Sequence, residues 1–600
     1  MKKFKNSKGI TLIALVITII VLLILAGVTI ATLTGDNVIL TQANDSKEKT
    51  EISKEKEMIN LAITSTIGID GHKNLTVENL QEELDKLEGK GNVEVSDVIE
   101  NFEVYFTKSK IYYEIDKDGN VGDYQIAGDI NYAGDITKGG TLDGSEQKPY
   151  EINCIEDLVA FSNIINKTGM TIENGVATEV SSKDYNNVAS SYVILKRNLN
   201  FNSKFSYENS ARTDFGDINE DDTDGNELLT EMTTGTGFRP IGQLKYGTFN
   251  GQGYEISNIY INHENEVPED GYGIGSHVGL FGFGNKNSTI IRNVIVSGII
   301  KGKGHAGGII GERAKLIENC VNRADITGYN MVGGIAGYAC TEITRCINYG
   351  KINITGNAYW YGGAGGIAGN SVGIIYKCIN YGKVDGNHTL GGVCGCNGGE
   401  IIKNSYNKGR ISSDTINVKS GGIIGHSYSE NIDIINCYNE GEVKGLSSKG
   451  GIIGECAGMS WDANININII NSYNKGDIIS INNDSSGGII GVQGTICAKN
   501  YVTLKNVYNV GEISGGKKGN IIGSISRSEN TDTKTNFENV YCLDNLSAVG
   551  NGTIDSGEAI QKSESNMKAK EFVDLLNTNI GENTEWSRWR FITNEYPSFE

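Results

Sequence analysis

Hydrophobic and polar positions divide the chain into three successive patterns. Residues 10–33 form an unbroken run of 24 without a charged side chain. At about 1.5 Å per residue such a helix reaches about 36 Å, longer than a bilayer core of about 30 Å. Lys2, Lys3, Lys5 and Lys8 precede the run with no compensating acid, which holds the start of a spanning segment in the cytoplasm and places the rest of the chain outside. The expectation is a single-pass membrane helix over 10–34, with the bulk of the chain at the cell surface. A secretory signal cleaved near Ala26 or Ala31 is the rival, although its apolar stretch is usually shorter. Next, "TQANDSKEKTEISKEKEMINLAITST" (41–66) interleaves Lys and Glu at helical spacing and predicts a solvated polar helix within 35–68. Gly35-Asp36-Asn37 is expected to kink or interrupt it. An amphipathic stretch with Leu80, Leu84 and Leu87, then the strand-like "FEVYFTKSKIYYEIDKDGNV" (102–121), predict a small α+β unit over 69–145. Asp118-Gly119 reads there as a hairpin turn, and Asp116 with Asp118 as turn residues in preference to a calcium site.

The third pattern is self-similarity. "GGIIG" occurs at 307, "GGIAG" at 333 and 365, "GGVCG" at 391, and "GGIIG" again at 421, 450 and 487, in steps of 26, 32, 26, 30, 29 and 37 residues. The first apolar position is always β-branched: Ile309, Ile335, Ile367, Val393, Ile423, Ile452 and Ile489. After each comes a second phrase: "IENCVNRADI", "ITRCINYGKI", "IYKCINYGKV", "IKNSYNKGRI", "IINCYNEGEV", "IINSYNKGDI" and "LKNVYNVGEI". Each unit thus holds three short β-prone pieces with Gly or Asn-Gly punctuation, none long enough for an amphipathic helix. One unit cannot bury its apolar side, whereas stacked units can, with each strand pairing to its copy above and below. The fold class is therefore mainly β, a parallel β-solenoid (β-helix). Extra residues bulge at turns without disturbing the stack, and "GNAYWYGGA" (356–364) and "GMSWDANININ" (458–468) are expected to be such loops. A lead-in with a capping helix (Leu158, Phe161, Ile165) occupies 146–237, the repeats 238–545, and a C-terminal cap (Phe572, Leu575, Leu576) 546–600. Both helices are expected to plug the open ends, where bare strand edges invite aggregation.

Composition narrows the function. Gly numbers 79 and Pro 4 without a three-residue period, which excludes collagen and proline-rich linkers. A net charge of −20 argues against a nucleic-acid partner, since phosphate contacts need clustered cations. The eleven cysteines fit no zinc spacing. Cys320, Cys346, Cys378 and Cys437 share a register with Ser405, Ser472 and Val507, so that position asks for a small buried side chain. Adjacent rungs bring Cys346 and Cys378 within disulfide reach, and that pairing stays open. Asn322, Asn348, Asn380, Asn407, Asn439, Asn474 and Asn509 also align, and stacked amides at a turn bond rung to rung. A sugar-binding row of amides is the alternative.

No catalytic constellation stands out. Asp325, Glu342, Asp385, Glu440, Glu442 and Asp477 lie mostly alone at turns, and His305, His388 and His426 sit beside or near glycines and read as surface turn residues. "DFGDINEDDTDGNE" (214–227) approaches a calcium loop through Asp217, Asn219 and Asp221, but carries Asp222 where Gly is needed and Leu228 where Glu is needed. It reads as a solvated loop whose calcium binding is open. No catalytic residue, cofactor or metal is expected.

Two resemblances complete the reading. A basic leader over 1–9, then Gly9, Ile10, Thr11, Leu12, Ile13 and an apolar run, resembles the prepilin-type cleavage and methylation segment of bacterial type IV pilin-like proteins. The resemblance implies a prepilin peptidase as partner, cleavage after Gly9 and methylation of Ile10. Ala14 stands where pilins carry a glutamate thought to pair with a neighbour's terminal amine, so export and anchoring are implied more strongly than filament assembly. The repeats, with Gly279-Leu280-Phe281-Gly282, resemble GLUG repeats over about 146–545. Together these imply a membrane-anchored, surface-exposed solenoid acting as a structural or adhesive scaffold toward a carbohydrate or protein ligand. The alternatives are a pilin-like (pseudopilin) subunit displaying the solenoid and, behind it, a β-helix polysaccharide-active enzyme.

Overall fold

The computed structural model describes residues 38–66, 75–126, 142–207, 232–264 and 277–599, apart from short interruptions within these ranges. Contacts divide the chain into two compact units, Met1–Ala127 and Gly128–Glu600.

In the first unit helix α1 (Val38–Ser65) is followed by α2 (Val77–Glu88) and by strands β1 (Val93–Val98), β2 (Asn101–Phe106), β3 (Ile111–Asp116) and β4 (Val121–Ile126). The strands form an antiparallel meander in chain order. The polar composition of α1 hides one apolar stripe: Ile52, Ile59, Ala62 and Ile63, at helical spacing, are buried with Val104, Tyr113 and Ile115 of the sheet. Tyr113 donates its hydroxyl to Glu55 Oε2 at 2.9 Å beneath that stripe. The expected fully solvated helix is therefore half of a core. α2 starts on the Thr76 cap, whose side chain accepts from Asn79 N, and ends at Gly89. It buries Leu80 and Leu84, while Leu87 stays 44% exposed. Asp116 holds the β3–β4 turn through Asn120 N at 2.8 Å and Asn120 Nδ2 at 2.7 Å; Asp118 and the Gly35-Asp36-Asn37 kink lie outside the described residues.

The single-pass membrane placement is corrected. The 10–34 segment lies outside the described residues, and among the described residues no helix is long and apolar enough to cross a membrane. The long helix that is described, α1, carries Lys and Glu through its middle, from Lys47 to Glu57, and spends its apolar stripe on the sheet.

The second unit is a stack of parallel coils. The coil beginning at Met331 shows the plan. Met331–Gly333 belongs to a 9-stranded sheet, Ala336–Tyr338 to a 10-stranded sheet, and Glu342–Thr344, Ile347–Asn348 and Ile352–Ile354 to a 29-stranded sheet. Each pairs in parallel with its copy one coil on: Met331 with Gly363, Ala336 with Ala368, Ile343 with Ile375, Asn348 with Asn380 and Ile352 with Val384. The pairing begins at Tyr150–Ile152 and ends at Ala559–Lys562. One apolar core runs through it, and all seven β-branched residues after the glycine pairs are fully buried within it, each contributing about 1.5–3 kcal/mol relative to exposure.

The glycine signature has a steric cause. A Cβ on Gly365 would lie 2.0 Å from Ala368 O, one on Gly366 2.1 Å from Asn380 Cγ, and one on Gly369 2.4 Å from Val332 N. The chain folds so tightly at this corner that a methyl group meets backbone or amide at every point.

Helix α3 (Ile155–Asn166) places Leu158, Phe161, Ile164 and Ile165 in the solenoid core, with Phe161 stacked on Phe249 at 6.2 Å. The C-terminal helix α4 (Lys570–Ile580) differs from expectation. It buries Phe572, Val573, Leu576 and Ile580 against Tyr508 and Tyr541 in a separate cluster, and Leu575 faces out. It therefore covers an outer face of the stack instead of plugging the inner core. The expected loop 458–468 is also shorter than its sequence suggests, because Asn464–Ile470 is a strand paired with residues 499–505. Trp461 remains 61% exposed in the loop proper.

Candidate functional site

Gly9, Ile10 and Ala14, and the acidic stretch 214–227, lie outside the described residues. The aligned asparagines form a continuous ladder: Nδ2 of Asn322, Asn348, Asn380, Asn407, Asn439 and Asn474 each donates to Oδ1 of the next at 2.7–2.8 Å. Asn380 also donates to Gly382 O at 2.9 Å and accepts from Gly382 N at 3.1 Å. All seven are fully buried, so this row offers no amide to a sugar and its role is structural.

A second row, three residues upstream, turns the chain at each coil. Asn319, Arg345, Lys377, Asn404, Asn436, Asn471 and Asn506 have φ between 47° and 55°, the left-handed region that Asn enters at least cost. Next to it run tyrosines. Tyr406–Tyr438, Tyr438–Tyr473 and Tyr473–Tyr508 stack at 4.4, 4.7 and 5.1 Å with interplanar angles of 11°, 2° and 2°. The C-terminal segment crosses this face. Asn436 donates to Glu585 O, Asn471 to Ser587 O and Asn506 to Leu576 O, while Trp589 Nε1 donates to Asn471 Oδ1.

Where the segment stops short, a groove of about 760 Å³ opens between Tyr376, Tyr406 and Tyr438 on one side and Arg590, Glu595 and Phe599 on the other. Tyr438 is stacked between Tyr406 and Tyr473, and Lys377 and Lys408 lie over the Tyr376 and Tyr406 rings, so ring edges and hydroxyls are much of what a ligand meets. Lys408 and Lys475 flank the floor, both held by Glu440 at 3.1 and 3.9 Å. Burial pushes the Tyr406 phenol up to about 12 and lowers Lys475. The groove therefore presents hydroxyls, amides and paired charges. It suits a polar ligand bound by hydrogen bonds, and its one inner acid, Glu440, is committed to two lysines.

The expectation that the histidines are surface turn residues is overturned at two places. His426 is buried and donates from Nε2 to Ala457 O, 3.0 Å away; burial, then the Lys419 charge, pushes its pKa down to about 3. His277 and His305 occupy paired strands of consecutive coils and converge on Glu312. Glu312 Oε2 lies 3.0 Å from His305 Nδ1 and 3.3 Å from His277 Nε2, and Glu312 Oε1 lies 2.8 Å from Arg313 Nε. Burial raises the Glu312 carboxyl, but the His305 hydrogen bond and the neighbouring His277, His305 and Arg313 charges outweigh it and leave the pKa lowered. The signal in the sequence is the repeat itself: His-Val-Gly and His-Ala-Gly open two successive units.

All eleven cysteines are buried thiols, Cys346 and Cys378 included. Burial pushes the Cys437 thiol up to about 12 and Cys346 well above its ordinary value. Ser405 Oγ, in the same register, accepts from Cys378 N at 3.0 Å, which explains why Ser and Cys interchange.

No family model matches the sequence, and comparison with curated proteins finds no match. Among solved structures, a Bacteroides ovatus protein described as a "putative immunoglobulin A1 protease" aligns with 76% of this chain and 94% of its own, at 16% identity and a TM-score of 0.27. A likeness at that score carries no argument about fold or activity.

Proposed function

We propose that the chain is a GLUG-type β-solenoid acting as a structural and adhesive interaction scaffold, and that the tyrosine-edged groove is where it meets its partner. The observation that carries this reading is the contrast between the coils and the groove. Along the coils the buried asparagines of the inner row bond to one another in a closed ladder. The groove, by contrast, is bordered by tyrosine edges, by Lys408 and by Arg590 beside open space. Bound polar ligands are oriented by a few such groups, and an oligosaccharide offers the matching hydroxyls. Titration of the purified chain against an oligosaccharide panel tests the reading. Saturable binding is expected, with at least a tenfold loss in Tyr406→Ala and in Lys408→Ala; binding that ignores both substitutions would sink it. A polypeptide ligand is the other outcome consistent with a scaffold, detected by the same two variants. Release of reducing sugars by the chain would replace the scaffold with an enzyme.

A second reading is favoured by the first unit, in which α1 lays its apolar stripe on a four-stranded antiparallel sheet. That arrangement suits a pilin-like subunit displaying the solenoid. In this reading a prepilin peptidase cuts after Gly9 and Ile10 becomes the methylated first residue. Mass spectrometry of the mature N-terminus decides: a methylated Ile10 supports it, and an intact Met1 removes it.

A further inference from the structure

We infer that His277, His305 and Glu312 form a binding site for one divalent transition-metal ion of the zinc type, clipping two consecutive coils together. The donor geometry is the first reason. Nε2 of His277, Nδ1 of His305 and a Glu312 carboxylate oxygen lie within 4.8 Å of one another, with the two contacts to Oε2 at 3.3 and 3.0 Å. In a tetrahedral zinc site with bonds of about 2.0–2.1 Å, neighbouring donors stand about 3.3 Å apart. The two short edges are already at that spacing, and closing the third needs only a small rotation of the imidazoles.

The surroundings are the second reason. The three side chains are 8%, 15% and 3% exposed, so they are held by packing and sheltered from water on most sides. His305, the most open, leaves access for a water as fourth ligand. Two imidazoles with one carboxylate suit zinc, cobalt, nickel or copper better than calcium or magnesium, which prefer all-oxygen shells.

Asn330 supplies the third reason. Its Nδ2 lies 3.4 Å from His305 Nε2, while its buried Oδ1 has no hydrogen-bond partner among the described residues. An imidazole that binds metal through Nδ1 carries its proton on Nε2 and needs an acceptor there. Turning the Asn330 amide over, an exchange of O and N in place, sets Oδ1 opposite that proton and satisfies both groups. Without a metal, the alternative is an ion-pair staple of His277, His305, Glu312 and Arg313.

The test uses the full chain, stripped with a chelator and titrated with Zn2+ by calorimetry and with Co2+ by visible absorption. One ion per chain is expected, with a Kd of about 1 μM or tighter, a tetrahedral cobalt spectrum, and a zinc-dependent rise in the melting temperature. His277→Ala, His305→Ala and Glu312→Gln should each weaken binding at least tenfold, while His388→Ala should not. Glu312→Gln keeps side-chain size and guards against a folding artefact in the histidine variants. No saturable Zn2+ binding below about 1 mM, or binding unchanged in Glu312→Gln, would overturn the assignment in favour of the staple.

Discussion

Two rows of side chains climb the same face of the solenoid, three residues apart in every coil, and both are built mainly from asparagine. The inner row, Asn322 to Asn509, is asparagine in every one of seven coils and bonds amide to amide without a break as far as Asn509. The outer row changes to Arg345 and Lys377 in the middle. The difference lies in what happens to an amide that loses its partner. Inside, the neighbour's donor is stranded in the core, and a stranded buried group costs about 1–3 kcal/mol. Outside, at the exposed positions 319, 345 and 377, water replaces the partner, and the residual cost is only that of a left-handed backbone for a residue other than Asn or Gly. Arg345 even restores the link, donating its Nε to Asn319 Oδ1 at 2.9 Å.

This comparison can be broken most severely through the glycine that makes room for the inner row. Gly366→Val places carbon where Asn380 Cγ and Gly392 O already sit, and thermal unfolding should show a loss of more than about 4 kcal/mol or no folded protein. Asn380→Ala leaves the Asn348 amide with only its bond to Gly350 O and the Asn407 oxygen with only its bond from Gly409 N; denaturant unfolding should register a loss of about 2–3 kcal/mol. Asn471→Ala, in the outer row but beneath the C-terminal segment, loses the bonds to Ser587 O and Trp589 Nε1. A loss of about 1–2 kcal/mol is expected, with limited proteolysis now releasing the segment while the coils resist. The smallest effect has the opposite sign. Lys377→Asn relieves a left-handed lysine at φ 54° and should stabilise by about 0.5 kcal/mol. An Asn380→Ala effect no larger than that of Asn319→Ala would show that burial is not what separates the rows.

The same logic explains what can be read from the sequence. The β-branched residues, the glycine triplets and the inner asparagines recur because each coil meets the same steric and hydrogen-bonding demand, so periodicity exposes them without knowledge of the fold. The fate of α4 is not legible, since Phe572 and Leu576 suit an end plug and a side cover equally well; only the exposed tyrosine edges of distant coils choose between them. The role of α1 is masked because its charges are conspicuous and its stripe of Ile52, Ile59, Ala62 and Ile63 is narrow. The histidine cluster escapes notice because His277 and His305 are 28 residues apart. That spacing is one coil, and using the repeat as a ruler for side-chain chemistry brings the pair together.

The C-terminal segment reaches from Lys403, which pairs with Glu585, to Tyr541, whose hydroxyl accepts from Asn579, touching five successive coils on one side. Those coils must already be stacked before it has anywhere to lie. It thus works as a latch set last in folding, and tension carried through it would load many rungs in shear at once instead of peeling the terminal turn away.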